Sequence, residues 1–399
     1  MMGMRWILAA GALSFATTSL LLAACASNES AAPDADDATS VVPGTDADAD
    51  AGDAHDVDGA SCTTGDCDFF PPTCAPDVLC PSGPFDPLDA RNGMDWRTRI
   101  NVIRGRSPTD IWAAGSVGAA AHFDGTSWTI SEMDTFEAQR VLWLPGGGEI
   151  SFGSLDRVYT RGLDLDAGGA DASISSGGWT LRAPPEVPSG YGNELTAAWA
   201  SPGSELLWVA TETDMWRLEL GSSTIASRPG IPSSVCALAG CARMRSIHGA
   251  SASTVWAVGD LGSAVRITNA DGDSPQATQL DTLAWMGLAG VWAASDAEAW
   301  AVGGHGTIRH YAGEEVGWEV LSDVPTDEDL NAVWGTSPAD VWAVGDAAVV
   351  VHFDGTSWSR VKIAGLGDRR PELLSVWSPG PGHVLIGGRG IVLALGGKP

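Results

Sequence analysis

Positively charged residues are scarce in this chain. Its 399 residues include 22 Lys and Arg against 50 Asp and Glu, which gives a formal net charge of −28. The basic residues are also dispersed, and the tightest groups are pairs such as Arg369-Arg370 and Arg97 with Arg99. Nucleic acids and anionic bilayers are bound through broad basic faces. The composition therefore argues against a nucleic-acid-binding protein and predicts an acidic, solvated surface.

Familiar catalytic signatures are also missing. The sequence contains no HExxH motif, no GxSxG nucleophile elbow and no GKS/T phosphate loop. Only three Tyr are present, and Tyr311 occupies a repeat position that elsewhere holds Phe, so it is expected to pack rather than to react. We name no catalytic residue and expect no cofactor. Enzymatic activity stays an open question at this stage, because active sites are assembled from residues scattered over a fold.

Long apolar runs are confined to the N-terminus, where Trp6–Leu22 is nearly uninterrupted. The run ends in Leu22-Ala23-Ala24-Cys25, which resembles the lipobox of bacterial lipoproteins. That resemblance implies a signal peptide over residues 1–24 and lipid on the Cys25 thiol. Several acyl chains hold a protein firmly on a membrane. We expect a cell-envelope protein, with the outer membrane favoured; an ordinary signal peptide or a transmembrane anchor is the alternative.

The remaining cysteines suit an exported, disulfide-bonded protein. Six are left after Cys25, namely Cys62, Cys67, Cys74, Cys80, Cys236 and Cys241. Cys236–Cys241 is the expected local pair, whereas the first four allow three pairings. A zinc site is the rival interpretation of those four, but their spacing lacks the usual CxxC knuckles.

An acidic tract and a proline-rich segment precede the rest of the chain. Residues 26–60 hold acidic side chains but no Lys, Arg, Phe, Trp or Tyr, so residues 25–60 are predicted to be a lipidated, disordered tether. The alternating carboxylates of Asp46, Asp48 and Asp50 weakly suggest calcium, although an EF-hand loop needs Gly where Ala51 stands. Residues 61–93 are rich in Cys and Pro and are expected to form a stalk.

One heptapeptide occurs twice and reveals a repeat. His-Phe-Asp-Gly-Thr-Ser-Trp spans residues 122–128 and 352–358, and each copy follows at the same distance after an earlier Trp. The surrounding apolar pattern recurs seven times, at an average spacing of about 45 residues. Its second-strand marker residues are Trp112, Ser151, Trp208, Trp256, Trp300, Trp342 and Leu385. The period is that of a four-stranded propeller blade.

The sequence thus predicts an all-β, seven-bladed β-propeller over residues 94–399. An eighth, degenerate blade within Asp156–Trp208 is the alternative. The last unit shows only three strands, and Met94–Ile100 carries Trp96 in the fourth-strand pattern. We therefore predict that this N-terminal strand completes the last blade, since closure of the ring removes exposed strand edges.

These units resemble the Asp-box and WD40-like propeller repeats of exported bacterial lipoproteins. The Asp-box separates its Asp from its Gly, whereas Asp354 and Gly355 are adjacent here. The resemblance implies a structural turn and a fold, because such turns occur in sialidases and in many proteins without hydrolase activity. His122, His310 and His352 share one repeat column and are likewise expected to be architectural.

The most suggestive column belongs to the innermost strand of each unit. Its members are Arg104, Trp143, Trp199, His248, Trp292, Trp334 and Trp377. Because innermost strands line a propeller's channel, these residues are candidates for binding a sugar or a peptide. Arg104 and His248 would add polar groups to an otherwise aromatic set. The alternative is interblade packing with two tolerated substitutions.

Two irregular insertions add recognition surface, Leu163–Gly178 and Pro229–Arg243. Together these features predict a monomeric, membrane-anchored binding or scaffolding propeller whose partner is an envelope protein or a glycan. The alternative function is a sialidase-like or other propeller hydrolase that acts on envelope or extracellular polysaccharide.

Overall fold

A computed structural model describes residues 69–85, 93–166, 173–187, 194–241 and 243–397 of the chain. Their strands form seven four-stranded antiparallel sheets. The first strand of each sheet contacts the first strand of the next, and the last sheet contacts the first in the same way. The protein is therefore a closed seven-bladed β-propeller.

The strands follow one another around the ring in chain order. The earliest strand is β1 (Leu79–Pro81). Blade 1 contains β2 (Ile100–Ser107), β3 (Asp110–Gly115), β4 (Ala120–Phe123) and β5 (Trp128–Ile130). Blade 2 contains β6 (Val141–Trp143), β7 (Glu149–Phe152), β8 (Val158–Arg161) and β9 (Thr180–Arg182). Blade 3 contains β10 (Ala197–Trp199), β11 (Leu206–Ala210), β12 (Met215–Leu220) and β13 (Ile225–Ile231).

A short helix, α1 (Ser233–Ala239), connects blade 3 to blade 4. Blade 4 contains β14 (Met244–His248), β15 (Thr254–Gly259), β16 (Ser263–Thr268) and β17 (Gln276–Asp281). Blade 5 contains β18 (Leu288–Ser295), β19 (Glu298–Gly303), β20 (Thr307–Tyr311) and β21 (Trp318–Val320). Blade 6 contains β22 (Leu330–Ser337), β23 (Asp340–Gly345), β24 (Val350–Phe353) and β25 (Trp358–Arg360). Blade 7 contains β26 (Leu373–Gly380), β27 (His383–Gly388), β28 (Ile391–Leu395) and β1.

The blade count agrees with the predicted repeat. Every marker residue lies on the second strand of its blade, from Trp112 on β3 to Leu385 on β27. The segment Asp156–Trp208 hides no extra blade, because it supplies strands to blade 2 and then to blade 3. The second strands are buried on both faces, as Val341, Ala343 and Val344 show, because each blade is sandwiched between two others.

The ring closes through an N-terminal strand, but the predicted segment is wrong. The outermost strand of blade 7 is β1, and Leu79 pairs with Leu395 on β28. Leu79 is fully buried, and its N–H donates to the carbonyl of Lys362 at 3.0 Å. Closure therefore uses a strand within the predicted Cys/Pro-rich stalk. Pro81 is tolerated there because the strand lies at the sheet edge.

Met94–Ile100 instead leads into blade 1, and Ile100 is the first residue of β2. Trp96 lies outside the fourth-strand column and is 60% exposed. The sequence pattern misled because β1 is only three residues long and carries no Trp, whereas Trp96 matches the repeat spacing by position alone.

The repeated heptapeptide forms a turn held by its own Asp. In both copies the Asp Oδ1 accepts hydrogen bonds from the next Thr N–H at 2.8 Å, the Thr hydroxyl at 2.6 Å and the Ser N–H at 2.9 Å. These bonds, the Thr hydroxyl first, lower the pKa of Asp124 and Asp354 to about 2. Gly125 and Gly355 have φ near +95° and +94°, which confirms the expected need for positive φ.

The His column packs on the Trp of the adjacent second strand. His122, His310 and His352 stack on Trp112, Trp300 and Trp342 at centroid distances of 4.5, 4.2 and 4.1 Å. Each His Nε2 also lies within 3.0 Å of a carboxylate on the same second strand. These contacts are those of blade architecture.

Among the described residues there are two disulfides, Cys74–Cys80 and the expected Cys236–Cys241. Cys25, Cys62, Cys67 and the candidate calcium residues Asp46, Asp48 and Asp50 lie outside the described residues. Within the described ranges no helix is long and apolar enough to cross a membrane.

Candidate functional site

The chain path gives the propeller two unlike faces. Hairpins between second and third strands, and the connections from one blade to the next, lie on one face, which we call the connector face. Turns between first and second strands, and between third and fourth strands, lie on the opposite face. Each innermost strand therefore starts at the connector face and runs through the ring away from it.

A cavity of about 900 Å³ occupies the central channel. Its lining includes Arg99, Asn101 and Asn331 near the starts of innermost strands. Glu212 and Asp260, from second-to-third-strand hairpins, complete the rim. Because both groups belong to the connector face, the cavity opens there.

Most Trp of the innermost column do not face this cavity. Trp143, Trp199, Trp292 and Trp377 are at most 7% exposed. Three of these rings end against a glycine of the following blade: Trp199 against Gly249, Trp292 against Gly335 and Trp377 against Gly105. A Cβ built on any of these glycines would lie 2.6–2.8 Å from the ring tip. For these four residues interblade packing is the structural role, and none of them lines the cavity.

Three column members do line the cavity, namely Arg104, His248 and Trp334. In the blade that follows Trp334, the position equivalent to these glycines holds Ser378. The Trp334 indole N–H donates to the Ser378 carbonyl at 3.3 Å. In the blade that follows Arg104, the equivalent position holds Leu144 rather than a glycine. Arg104 and Trp334 therefore lack the facing glycine that accommodates the ring tips of Trp199, Trp292 and Trp377.

These three residues meet inside the channel although they belong to blades 1, 4 and 6. The Arg104 guanidinium carbon lies 5.2 Å from the centroid of the Trp334 ring. The His248 ring makes an edge contact with the same indole at 5.0 Å. Both polar side chains therefore contact the same indole, that of Trp334.

Burial lowers the pKa of both polar groups. Desolvation lowers the pKa of Arg104 to about 10, so the guanidinium stays charged at neutral pH. Desolvation, together with the nearby Arg104 charge, lowers the pKa of His248 to about 3, which keeps its ring neutral. His248 Nδ1 accepts the backbone N–H of Ala293 at 3.0 Å.

Four arginines surround the mouth of the cavity, and sequence analysis missed them as a group. They are Arg99, Arg140, Arg243 and Arg245. Arg99 forms an ion pair with Glu372, and Arg245 forms one with Asp260. Arg140 and Arg243 have no ion-pair partner within the described ranges. The arginines come from three parts of the chain, since Arg243 and Arg245 are two residues apart. Only their shared place near the start of innermost strands could have signalled the cluster.

Exposed apolar side chains also collect on the connector face. At blade 4 they are Leu261, Leu283 and Trp285, which we call the blade-4 patch, and Leu261 and Trp285 are 85% and 83% exposed. A Cβ at Gly262 would lie 1.9 Å from the Ala284 carbonyl, so the hairpin and the connection that carry this patch touch. Leu261 also follows Asp260, a residue of the cavity rim.

The backbone of this patch is unusual for apolar residues. Leu261 and Leu283 both have φ near +55°, a left-handed conformation that costs a bulky residue energy. Blade 1 repeats the arrangement with Val117, at φ +59°, and with Phe136, which is 90% exposed. The fold therefore holds large apolar side chains out into solvent, where they contribute little to stability.

The two insertions lie on different faces. The described part of Leu163–Gly178 belongs to the connection between β8 and β9 on the face opposite the mouth. Pro229–Arg243 includes α1 and the Cys236–Cys241 disulfide and belongs to the connector face. No cluster of three or more His, Cys, Asp or Glu suitable for a metal ion occurs in the described part of the chain.

Comparison with known proteins supports the fold. No protein-family model matches the chain, and no curated protein does. Among solved structures, YCF48 bound to D1 peptide superposes with a TM-score of 0.57 at 13% identity, over 84% of this chain and 99% of that chain. The WD40 β-propeller domain of Doa1 gives a TM-score of 0.56 at 9% identity, over 80% and 96%.

Virginiamycin B lyase from Staphylococcus aureus gives a TM-score of 0.54 at 12% identity, over 75% of this chain and 95% of that chain. At these identities the likeness concerns the fold. The chain thus belongs to the class of seven-bladed β-propellers, a scaffold that carries unrelated functions.

Proposed function

We propose that this protein is a lipid-anchored propeller of the cell envelope that binds a polypeptide segment on its connector face. The observation that carries the proposal is the concentration of exposed Leu, Phe and Trp side chains on the connector face, the face on which the channel opens. Apolar patches rimmed by polar residues are typical of interaction sites, and exposed aromatic residues are typical binding anchors.

The charge distribution supports a polypeptide partner. A protein with net charge −28 carries four arginines at one mouth, two of which have no ion-pair partner in the described ranges. That mouth attracts acidic groups, while the adjoining blade-4 patch offers apolar contact. A polypeptide combines both chemistries in one extended segment. YCF48, which shares the fold, has been solved with a bound peptide.

A glycan is less well supported as the ligand. Sugars stack on open aromatic faces, and the channel offers few of them, because Trp143, Trp199, Trp292 and Trp377 are buried against the following blades. The envelope location rests on the lipobox-like Leu22–Cys25 segment and on the disulfides, which suit an oxidising compartment.

The proposal is tested by selecting a random peptide library on the mature chain with Cys25→Ser. We expect selected peptides to lose at least ten-fold in affinity when Leu261 and Trp285 are replaced by Ser. The matched control is Val316→Ser, because Val316 is also exposed but lies in the third-to-fourth-strand turn of blade 5, on the opposite face. Equal loss in both variants, or selection of no peptide, would contradict a connector-face site.

A further inference from the structure

We propose that Arg104 and His248 form a carboxylate-binding site inside the channel, and that the bound polypeptide segment supplies the carboxylate. The inference rests on the proposed function and specifies its ligand. The two residues are those at which the innermost column departs from Trp, and both line the cavity that opens on the connector face.

Arg104 is a partly buried cation without a carboxylate partner among the described residues. Its contacts are its Nη1 hydrogen bond to the Ile103 carbonyl at 2.8 Å and the face of Trp334. A desolvated charge is costly unless an opposite charge or several hydrogen bonds compensate it. An anion that enters the cavity would supply that compensation, and a carboxylate matches the guanidinium with two parallel hydrogen bonds.

His248 adds a second donor. Its Nδ1 accepts the Ala293 N–H, so the neutral ring carries its proton on Nε2. No acceptor for this N–H is found in the described part of the chain. The ring also contacts Trp334, the indole that Arg104 covers. One charged and one neutral donor suit a single carboxylate better than a dianion, which calls for more positive charge.

The depth of the pair explains why a flexible polypeptide is the source. Arg245 lies at the mouth, and His248 follows three residues later along the same innermost strand, roughly 10 Å further into the ring. A carboxylate on an extended chain reaches that depth while neighbouring side chains stay on the connector face, near the blade-4 patch. The mouth arginines Arg140 and Arg243 would attract the segment from a distance.

Two variants separate this site from the rest of the surface. Arg104→Gln removes the charge, and Arg228→Gln is its control, because Arg228 lies on the outer strand β13 in an ion pair with Glu219. His248→Phe removes the Nε2–H donor and keeps an aromatic ring beside Trp334.

The experiment repeats the peptide selection with the mature Cys25→Ser chain and records which residues are enriched. We expect the wild-type protein to enrich an acidic residue or a free C-terminal carboxylate. Amidated and Asn/Gln-substituted copies of the selected peptides identify which of the two is used. Arg104→Gln and His248→Phe should each weaken binding of the acidic peptides at least ten-fold, and Arg228→Gln should leave it unchanged.

Titration with acetate, followed by NMR of the His248 ring, separates the two proposals. Selected peptides without any carboxylate preference would overturn this inference and leave the connector-face site standing. A His248 Nε2–H shift with acetate, lost in Arg104→Gln, but without any selected peptide, would overturn the polypeptide source and the proposed function. Tighter binding of an oligouronic acid than of any peptide would overturn the polypeptide source as well.

Discussion

The tip of the Trp292 indole lies against the α-carbon of Gly335 in the following blade. A Cβ built on Gly335 would stand 2.6 Å from Trp292 Cη2 and 2.9 Å from the Asp340 carbonyl. The same relationship joins Trp199 to Gly249 and Trp377 to Gly105. Most Trp side chains of the innermost column thus pack one blade against the next. The column members that do not, Arg104, His248 and Trp334, line the channel cavity.

The first prediction concerns this packing of Trp against Gly between blades. Gly335→Ala should lower the free energy of unfolding by about 1–3 kcal/mol, because the added methyl group displaces a well-packed indole. Gly380→Ala is the matched control, since Gly380 also lies on an innermost strand but has nothing within 4 Å of its Cβ position. Urea denaturation measures both. An equal effect of the two variants would show that crowding by Trp292 is not the cause.

The second prediction identifies the strand that closes the ring. Leu79→Ala should cost about 2–5 kcal/mol of stability, because Leu79 is fully buried between blades 6 and 7. Trp96→Ala should change stability by no more than about 0.5 kcal/mol, because Trp96 is largely exposed. If Trp96→Ala lowered stability more than Leu79→Ala in the same denaturation assay, Met94–Ile100 and not β1 would close the ring.

The third prediction concerns acid stability. His248 has an ordinary pKa of 6.5 when unfolded and a pKa of about 3 when buried beside Arg104. Between these values the unfolded chain binds a proton that the native chain does not, so stability falls as the pH falls from 6.5. The slope is about 1 kcal/mol for each pH unit.

Denaturation of wild type and His248→Gln between pH 6.5 and 4.5 checks this slope, and the variant should show a flatter dependence. The window stops at pH 4.5 because Asp124 and Asp354, whose pKa is lowered to about 2, lose their native stabilisation only as the pH falls below 3.8. Parallel curves for the two proteins would mean that His248 takes up its proton in the native state.

The fourth prediction concerns anchoring. Cys25→Ser should abolish labelling by a fatty-acid analogue and should release the protein from membranes, because one thiol would carry the acyl chains. Fractionation of cells that produce each form measures the change. Retention of the unlabelled variant on the membrane would argue for a transmembrane anchor instead.

Local chemistry explains what the sequence predicted well. Asp124 and Asp354 form their turns with the next two residues, so the heptapeptide carries its own geometry. The second-strand markers repeat because every blade is covered on both faces, which requires apolar residues at successive positions. A repeat of this kind is visible in one sequence because neighbouring blades pose the same packing problem.

The sequence alone determined the fold class, the number of blades and the membership of the innermost column, since all three follow from a period of about 45 residues. Only the tertiary structure decided which column members face the channel, because that depends on how each side chain packs against the neighbouring blade. It also decided that β1 closes the ring and that arginines from three separate parts of the chain share one mouth. These contacts join residues far apart in the chain, and the periodic pattern carries no information about such pairs.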